Sequence, residues 1–302
     1  MTDKTIKMMS AFISKGSVVF NEPLDRHSTI GVGGTAAIWY KPASTEELSK
    51  VYRNLKKEGE RVITIGRGSN TLMPDGIFDA VVIDLSDDRF MCIDFDGSRI
   101  KAAAGVKLSV LIAQCLKRGF AGMEGLVGIP GTVGGALFVN AAYRSRISDC
   151  LLTVDLLDDH GEIKQVKRED LVFGYRRSSF KENDIILDAV FGLKEMAPDI
   201  LKRDIKSYFL EKIRTQPLGE RTLGCIFKNP EGIGLTSAEL IDQAGLKGRR
   251  SGDAVVSEKH ANFIVNTGNA TQKDVLDLMG MITSVVKKRF NVDLEPEIRI
   301  VD

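Results

Sequence analysis

Apolar residues recur along the chain at helical and at alternating spacings, and the two patterns follow one another from end to end. This succession predicts a mixed α and β fold. The predicted helices are one that begins at the Ser44 cap, one from Pro198 to just before Pro217, and Lys107–Arg118, Ser237–Ala244 and Thr271–Phe290. The predicted strands are Arg61–Ile65, Ala80–Leu85, Met91–Phe95, Arg99–Ala103, Leu152–Leu157, Glu162–Val166, Asp184–Gly192, Asn262–Val265 and Leu294–Val301.

Short signals mark the ends of several elements. Ser44-Thr45-Glu46-Glu47 is typical of a capping box, in which the first and last side chains each satisfy a backbone amide. Gly119 follows a predicted helix, where glycine commonly ends the helical turn. Asp96-Gly97 and Asp159-His160-Gly161 predict the turns of two hairpins. The character of the chain changes near residue 200, which we take as a domain boundary.

Composition narrows the classes of function. The chain has 302 residues and a net charge of +1, with no sustained basic tract, so neither nucleic acid nor a membrane surface is an expected partner. No stretch reaches the roughly 18 apolar residues of a membrane span. The four cysteines form no CxxC pair, which argues against a disulfide framework or a zinc site. We therefore expect a cytoplasmic protein without a bound metal.

Three glycine-rich segments are candidates for phosphate binding. Gly31–Ala36 matches the GxGxxA spelling of a dinucleotide fingerprint, but it does not follow a strand or open a helix, so we reject that interpretation. Gly66–Asn70 directly follows an apolar strand, and Gly128–Gly135 forms a second such loop. Glycines let successive amides point at one anion. Two such loops in one domain favour a diphosphate ligand without specifying which one.

Several blocks of residues, in this order, resemble the UDP-N-acetylenolpyruvoylglucosamine reductases. The blocks are Thr29–Gly34 with Pro42-Ala43-Ser44, Gly66–Asn70, Gly128–Gly135 with Asn140-Ala141, Phe173–Ser178, Gln216-Pro217, Gly224–Pro230, Ala244–Gly248, Ser257–Asn266 and Leu294–Arg299. Each block is weak alone, whereas the ordered set is specific and spans roughly residues 20 to 300. The chain looks like the shorter class of that family, which lacks an extra tyrosine-bearing loop.

The resemblance implies a fold and a reaction. The fold class would be α+β, with a two-part FAD-binding domain of the vanillyl-alcohol-oxidase type and a C-terminal α/β substrate-binding domain. The predicted domains are an N-terminal extension (1–20), the FAD-binding domain (21–200) and the substrate-binding domain (201–302). The reaction would be the NADPH-dependent, FAD-mediated reduction of a UDP-amino sugar enolpyruvyl ether, in peptidoglycan precursor synthesis. FAD would be non-covalent and the protein a monomer, while the sequence leaves NADPH or NADH open.

The resemblance also implies roles for individual residues. The expected catalytic residues are Arg176, as the carboxylate-binding cation, Cys225, as the proton donor, and Glu297, which either hydrogen-bonds the enolate or orients a donor. The expected flavin-binding residues are Gly66, Arg67, Gly68, Ser69, Asn70, Gly128, Gly131, Thr132 and Gly134. The expected substrate-binding residues are Tyr175, Lys228, Asn229, Lys247 and His260. From the local sequence alone, Cys225 would be interpreted as buried packing and Arg176 as part of a solvated charge run. Glu297 would be interpreted as a surface residue or an ion-pair partner.

The sequence departs from the family pattern at two places. Cys225 stands where serine is usual, and a thiol, with an ordinary pKa of ~8.5, is a stronger acid than a hydroxyl. The run Ala142–Ser148 replaces a glycine-containing run with a later glutamate.

Two other functions compete with the reductase. One is an FAD-dependent oxidase of the same fold that acts on an alcohol or hydroxy acid. Many such oxidases attach FAD through histidine, whereas His27, His160 and His260 all lie outside the proposed flavin loops. The other is a non-catalytic flavin-binding protein, against which the retained arginine, thiol and glutamate argue.

Overall fold

The computed structural model describes residues 3–302. Its helices are α1 (Asp3–Phe12), α2 (Thr45–Lys57), α3 (Leu108–Arg118), α4 (Val133–Phe138), α5 (Pro198–Thr215), α6 (Ser237–Gln243) and α7 (Gln272–Phe290). Its strands are β1 (Ser17–Pro23), β2 (Thr35–Lys41), β3 (Val62–Ile65), β4 (Thr71–Leu72), β5 (Ile77–Asp84), β6 (Ile93–Asp96), β7 (Arg99–Ala103), β8 (Phe120–Ala121), β9 (Leu151–Leu157), β10 (Ile163–Lys167), β11 (Phe173–Gly174), β12 (Arg177–Ser178), β13 (Ile185–Gly192), β14 (Lys194–Glu195), β15 (Thr222–Cys225), β16 (Arg250–Ser251), β17 (Ala254–Val256), β18 (Phe263–Asn266) and β19 (Arg299–Ile300). No helix within these residues is long and apolar enough to cross a membrane.

The chain divides into two compact units. The first contains the segment up to Glu22 together with Ala36–Gly66 and Asp79–Leu210, and the second contains Pro23–Thr35, Arg67–Phe78 and Glu211–Asp302. Two N-terminal segments therefore pack with the C-terminal third. The functional division at residues 20 and 200 stays a prediction.

The first unit is built on two sheets. One has the order β1-β2-β5-β3, with β3 parallel to β5, and the other is antiparallel with the order β10-β9-β13-β7-β6. Both predicted hairpins are confirmed, since β6 pairs with β7 and β9 with β10. Helices α2, α3 and α4 contribute apolar side chains to one core with these strands. The core includes Leu48, Val51, Leu55, Val81, Ile83, Ile100, Leu111, Leu137, Val154 and Phe191.

The second unit has its own core. Its antiparallel sheet has the order β15-β18-β17-β16, and the short strand β19 lies parallel to β4. Helix α7 is capped at its N-terminus by Thr271, whose side chain accepts from the Asp274 amide, and the helix buries one apolar face. The core includes Ile30, Val32, Leu72, Leu223, Phe227, Leu240, Val256, Ile264, Val275, Leu278, Ile282 and Val286.

The start of α2 corrects the predicted capping box. Ser44 accepts a hydrogen bond from the Glu47 amide, as predicted. The Glu47 carboxylate, however, accepts from the amides of Ser14, Lys15 and Gly16, at 2.9, 3.1 and 3.3 Å. It is buried, and these backbone donors offset its desolvation. Glu47 therefore fastens the segment that follows α1, a role that a local pattern cannot indicate.

Two further predictions need correction. The strand predicted at Leu294–Val301 is reduced to β19 and an isolated pairing of Pro296 with Phe227. Pro296 has no amide hydrogen, so a longer ladder is interrupted there. The second glycine loop was predicted without a helix, yet α4 begins inside it, after Thr132. The packing of α4, in which Gly134 lies against Ala104, outweighs the low helix propensity of Gly134 and Gly135.

Candidate active site

The two predicted flavin loops approach each other in the first unit through Gly66 and Thr132. A Cβ atom on Gly66 would lie 2.7 Å from the Thr132 hydroxyl oxygen, so only glycine fits there. Thr132 is buried, and its hydroxyl accepts a hydrogen bond from the Gly135 amide. Gly66 directly follows β3, and Thr132 caps the N-terminus of α4. This close approach brings the end of β3 to the second loop.

Backbone amides in the second loop are available to an acidic ligand. The Val133 and Gly134 amides donate to Val106 and Ala104, which fixes the loop against the preceding segment. Within the described chain, the amides of Gly128, Gly131 and Thr132 have no acceptor. Such amides suit phosphate oxygens. Gly134 lies in α4 and allows close packing on Ala104, 2.9 Å from a would-be Cβ, and its flavin-binding role stays a prediction.

A two-residue turn carries Tyr175 and Arg176 between β11 and β12, where Gly174 pairs with Arg177. Arg176 has a φ of +52°, which only a constrained non-glycine residue adopts. Its guanidinium donates to the Ala142 carbonyl at 2.9 Å and lies near the Tyr175 ring. Tyr175 itself is half exposed. The turn therefore presents both side chains predicted to bind substrate.

Asn140 links α4 to this turn, and sequence reasoning gave it no function. Its side-chain amide donates to the Gly174 carbonyl at 2.9 Å, and the residue is 1% exposed with a φ of +47°. The side-chain oxygen of Asn140 is buried and has no hydrogen-bond partner within residues 3–302. A buried acceptor of this kind suits a donor on a bound ligand. The only signal in the sequence is that asparagine tolerates the left-handed conformation.

The segment Ala142–Ser148, where the sequence departs from the family pattern, has a defined conformation. The Arg144 amide donates to the Gly125 carbonyl, and its guanidinium lies near the rings of Tyr143 and Tyr208. Ser145 packs directly on Gly125, which has no room for a Cβ. The departure therefore leaves a packed loop beside the Arg176 turn.

The first glycine loop continues in the second unit as Arg67–Asn70. Gly68 has a φ of +57°, and a Cβ there would lie 2.2 Å from the His27 carbonyl oxygen. The Gly68 carbonyl accepts from the Thr29 amide. Asn70 donates through its side chain to the Glu297 carbonyl at 3.2 Å and accepts through its backbone from the Arg299 amide. Arg67 is exposed, and Ser69 is partly exposed. Asn70 thus supports Glu297 as well as the loop.

Cys225 and Glu297 lie on neighbouring backbone segments of the second unit. Cys225 is a half-buried thiol outside any disulfide, at the end of β15, where its backbone pairs with Phe263. The Glu297 amide donates to the carbonyl of Ile226, the residue after Cys225, at 2.7 Å. The structure therefore brings together two of the three predicted catalytic residues.

Lys228 and Asn229, both predicted to bind substrate, also have structural contacts. Lys228 forms an ion pair with Glu295, and its amide donates to the Glu295 carbonyl. The side-chain oxygen of Asn229 accepts at 3.0 Å from the amide of Ser237, the first residue of α6. Lys228 thus holds the residues that follow Cys225 against the 295–297 segment, and Asn229 holds them against the start of α6.

Lys247 and His260 lie close enough to interact electrostatically. Burial lowers the pKa of His260, and the positive charge of Lys247 lowers it further. The His260 ring packs edge-on against Phe263, with centroids 4.7 Å apart, and its Nδ1 atom is buried without a described partner. Lys247 pairs with Asp242 at 2.7 Å. Because an uncharged imidazole cannot neutralise an anion, His260 is better suited to form a hydrogen bond with a ligand than to pair with a negatively charged group.

No group of three or more candidate metal ligands occurs within the part of the chain that the structure describes. The first unit thus carries the loop amides and the Arg176 guanidinium, and the second unit carries the Cys225 thiol and the Glu297 carboxyl group.

Comparison with known proteins identifies the family. Residues 36–167 match the FAD binding domain model, and residues 216–301 match the model of the UDP-N-acetylenolpyruvoylglucosamine reductase C-terminal domain. The UDP-N-acetylenolpyruvoylglucosamine reductase of Syntrophus aciditrophicus is 39% identical over 290 residues, which cover 95% of this chain and 92% of the relative. This chain belongs to the UDP-N-acetylenolpyruvoylglucosamine reductase family. The reductase of Clostridioides difficile is also 39% identical, over 95% of this chain and 94% of the relative.

A solved structure from this reductase family supports the same conclusion. The reductase of Thermus caldophilus superposes with a TM-score of 0.82 at 34% identity, over 95% of this chain and 99% of that one. The family resemblance and the predicted fold class are therefore confirmed. The chain is a flavin-dependent oxidoreductase of the reductase family, with an FAD-binding domain.

Proposed function

We propose that this chain reduces UDP-N-acetylglucosamine enolpyruvate to UDP-N-acetylmuramate with NADPH, as a cytoplasmic step of peptidoglycan precursor synthesis. Full-length similarity to named reductases carries the proposal. The adjacency of Cys225 and Glu297 supports it, because the reaction needs a proton donor beside a second polar group.

The residues of the two glycine loops fit FAD. The amides of Gly128, Gly131 and Thr132 would hold diphosphate oxygens, and Gly66 would keep the start of the first loop close to Thr132. Gly68 would let the first loop turn through its left-handed backbone conformation. The buried oxygen of Asn140 would accept a hydrogen bond from a donor on the bound cofactor. When bound, FAD supplies the two-electron chemistry that couples oxidation of NADPH to reduction of the substrate alkene.

The chain's own side chains would manage charge and the proton. Arg176 would bind the substrate carboxylate through the fixed fork of its guanidinium and stabilise the negative charge that spreads into it. Cys225 would transfer its Sγ proton to the carbon that bears the ether oxygen, and would regain a proton from solvent. Glu297 would either hydrogen-bond the developing enolate or orient the donor. The sum is one NADPH and one proton consumed for each lactyl ether formed.

The substrate's nucleotide would be bound by groups of the second unit. Lys228, Asn229 and Lys247 would face the diphosphate, and neutral His260 would hydrogen-bond the nucleotide sugar. Tyr175 would contact the substrate beside Arg176. Each role is part of the proposal.

A direct assay tests the function. Purified protein with FAD should oxidise NADPH only when the enolpyruvyl sugar is present, and should form the lactyl ether. Parallel assays with NADH determine the preferred donor. Acid should release FAD intact. Oxygen consumption with an alcohol, together with flavin that stays attached after denaturation, would instead identify an oxidase and overturn the proposal.

A further inference from the structure

The chain changes pairing partner immediately after Cys225. The register between β15 and β18 shifts between Thr222 and Cys225, with Gly224 at a φ of +80°. Cys225 is the last residue of β15 to pair with β18, and Phe227 forms an isolated pairing with Pro296. A backbone that leaves one strand for another needs new partners for its polar groups, because buried groups without partners are costly.

The side chain of Asn262 supplies those partners. Its Oδ1 accepts from the Phe227 amide at 2.9 Å, and its Nδ2 donates to the Phe227 carbonyl at 2.7 Å. Its own carbonyl accepts from the Ile226 amide at 2.9 Å. Asn262 is only 3% exposed. The side-chain amide therefore acts as an extra peptide group that holds the two residues after Cys225.

The same short segment positions Glu297. The carbonyl of Ile226 accepts from the Glu297 amide, while the amide of Ile226 is bound by Asn262. Cys225 precedes Ile226 directly. A shift of this segment would therefore move the thiol and the carboxyl group together.

We infer that Asn262 is a positioning residue for the proton-donor pair Cys225 and Glu297. This inference rests on the proposed function. Asn262 does not need to touch the substrate, because its effect passes through the backbone of Ile226 and Phe227. A displacement of about 1 Å at reacting groups costs on the order of 10²-fold in rate.

Asn266, the last residue of β18, provides a matched control, since Asn262 directly precedes the same strand. It is also 3% exposed, and its side chain donates to the Ile30 carbonyl and accepts from the amides of Gly268 and Ala270. None of these partners belongs to the 225–228 or 295–297 segments. Loss of Asn266 should therefore destabilise the second unit without displacing Cys225.

The decisive measurement separates the two half-reactions in Asn262→Ala and Asn266→Ala. Asn262→Ala should slow the limiting rate of flavin reoxidation by substrate about 10²-fold, with flavin reduction by NADPH and substrate affinity unchanged. Asn262→Asp keeps the Oδ1 acceptor but replaces the Nδ2 donor by a carboxylate oxygen that faces the buried Phe227 carbonyl, so it should not recover the rate. Asn266→Ala should lower thermal stability only. Equal reoxidation rates in Asn262→Ala and Asn266→Ala would overturn the inference.

A second readout does not depend on catalysis. In a Cys92→Ser background, which removes the exposed thiol, alkylation of Cys225 by iodoacetamide can be followed by peptide mass spectrometry. Asn262→Ala should change the alkylation rate at Cys225, and Asn266→Ala should not. An unchanged rate in folded Asn262→Ala protein would contradict the inference even if turnover fell. If the unsubstituted protein did not reduce the enolpyruvyl sugar, the proposed function would fail instead.

Discussion

The Glu297 amide donates to the Ile226 carbonyl over 2.7 Å, so the carboxyl-bearing residue is fixed to the backbone one residue beyond Cys225. These residues are more than 70 positions apart in the chain. Their proximity comes from two short segments with little regular strand structure. This relationship makes the roles of the thiol and the carboxyl group testable together.

Substitution of Cys225 should separate proton delivery from packing. Cys225→Ser retains a proton on a similar side chain and should keep substantial activity. Cys225→Ala removes the donor and should slow flavin reoxidation by substrate by ~10²–10⁴-fold, the usual contribution of a general acid. Stopped-flow absorbance of the flavin measures this step. Flavin reduction by NADPH serves as the internal control, and normal reoxidation in the alanine variant would refute the role.

Gly66→Ala should weaken FAD binding. The new Cβ would lie 2.7 Å from the Thr132 hydroxyl, so Thr132 or the loop must move. Titration of apoprotein with FAD, followed by flavin fluorescence, measures the affinity. Gly280→Ala is the control, because nothing lies within 4 Å of its Cβ in α7. Equal FAD affinity in the two variants would show that Gly66 does not shape the flavin loop.

Asn140→Ala should impair the substrate half-reaction through the Arg176 turn. It removes the 2.9 Å hydrogen bond to Gly174 and disfavours the left-handed backbone. We expect a higher KM for the enolpyruvyl sugar, because Arg176 would no longer be held for its carboxylate. Asn291→Ala, at another left-handed asparagine with a φ of +57°, should reduce stability by about 1 kcal/mol without changing KM. If KM stayed normal in Asn140→Ala, the link to Arg176 would be lost.

Glu47 should make stability depend on acidic pH. Burial raises its pKa, but hydrogen bonds from Lys15, Ser14, Gly16 and Ala43 outweigh burial and bring the pKa to about 2. Because the folded pKa lies below the ordinary value of 4.5, the stabilisation is complete above that value and is lost as pH falls toward 2.

Glu47→Gln should remove this dependence. Denaturant unfolding should show a free-energy difference between the two proteins of about 3 kcal/mol near neutral pH, shrinking as the pH falls toward about 3. A difference that stays constant over this range would mean that the Glu47 carboxylate is not preferentially ionised in the folded state.

Local patterns predicted most elements of the fold. Gly119, with a φ of +74°, caps the C-terminus of α3, and Thr271 caps the N-terminus of α7, because propensity, caps and apolar spacing agree there. Prediction was wrong where distant contacts decide the outcome. Helix α4 forms in a glycine-rich run because Gly134 packs on Ala104, and the Glu47 side chain turns to Lys15 and its neighbours, a loop 32 residues earlier.

The sequence by itself determined the alternation of helices and strands, the two glycine loops and the chemical groups on which the family resemblance rests. These are local properties, since side-chain type and short-range spacing are written in consecutive residues. Only the tertiary structure decided that Asn262 binds the backbone after Cys225, that Glu297 lies beside that backbone, and that Asn140 holds the turn of Arg176. Buried polar groups must find partners wherever the folded chain brings them, and a one-dimensional pattern does not contain those distances.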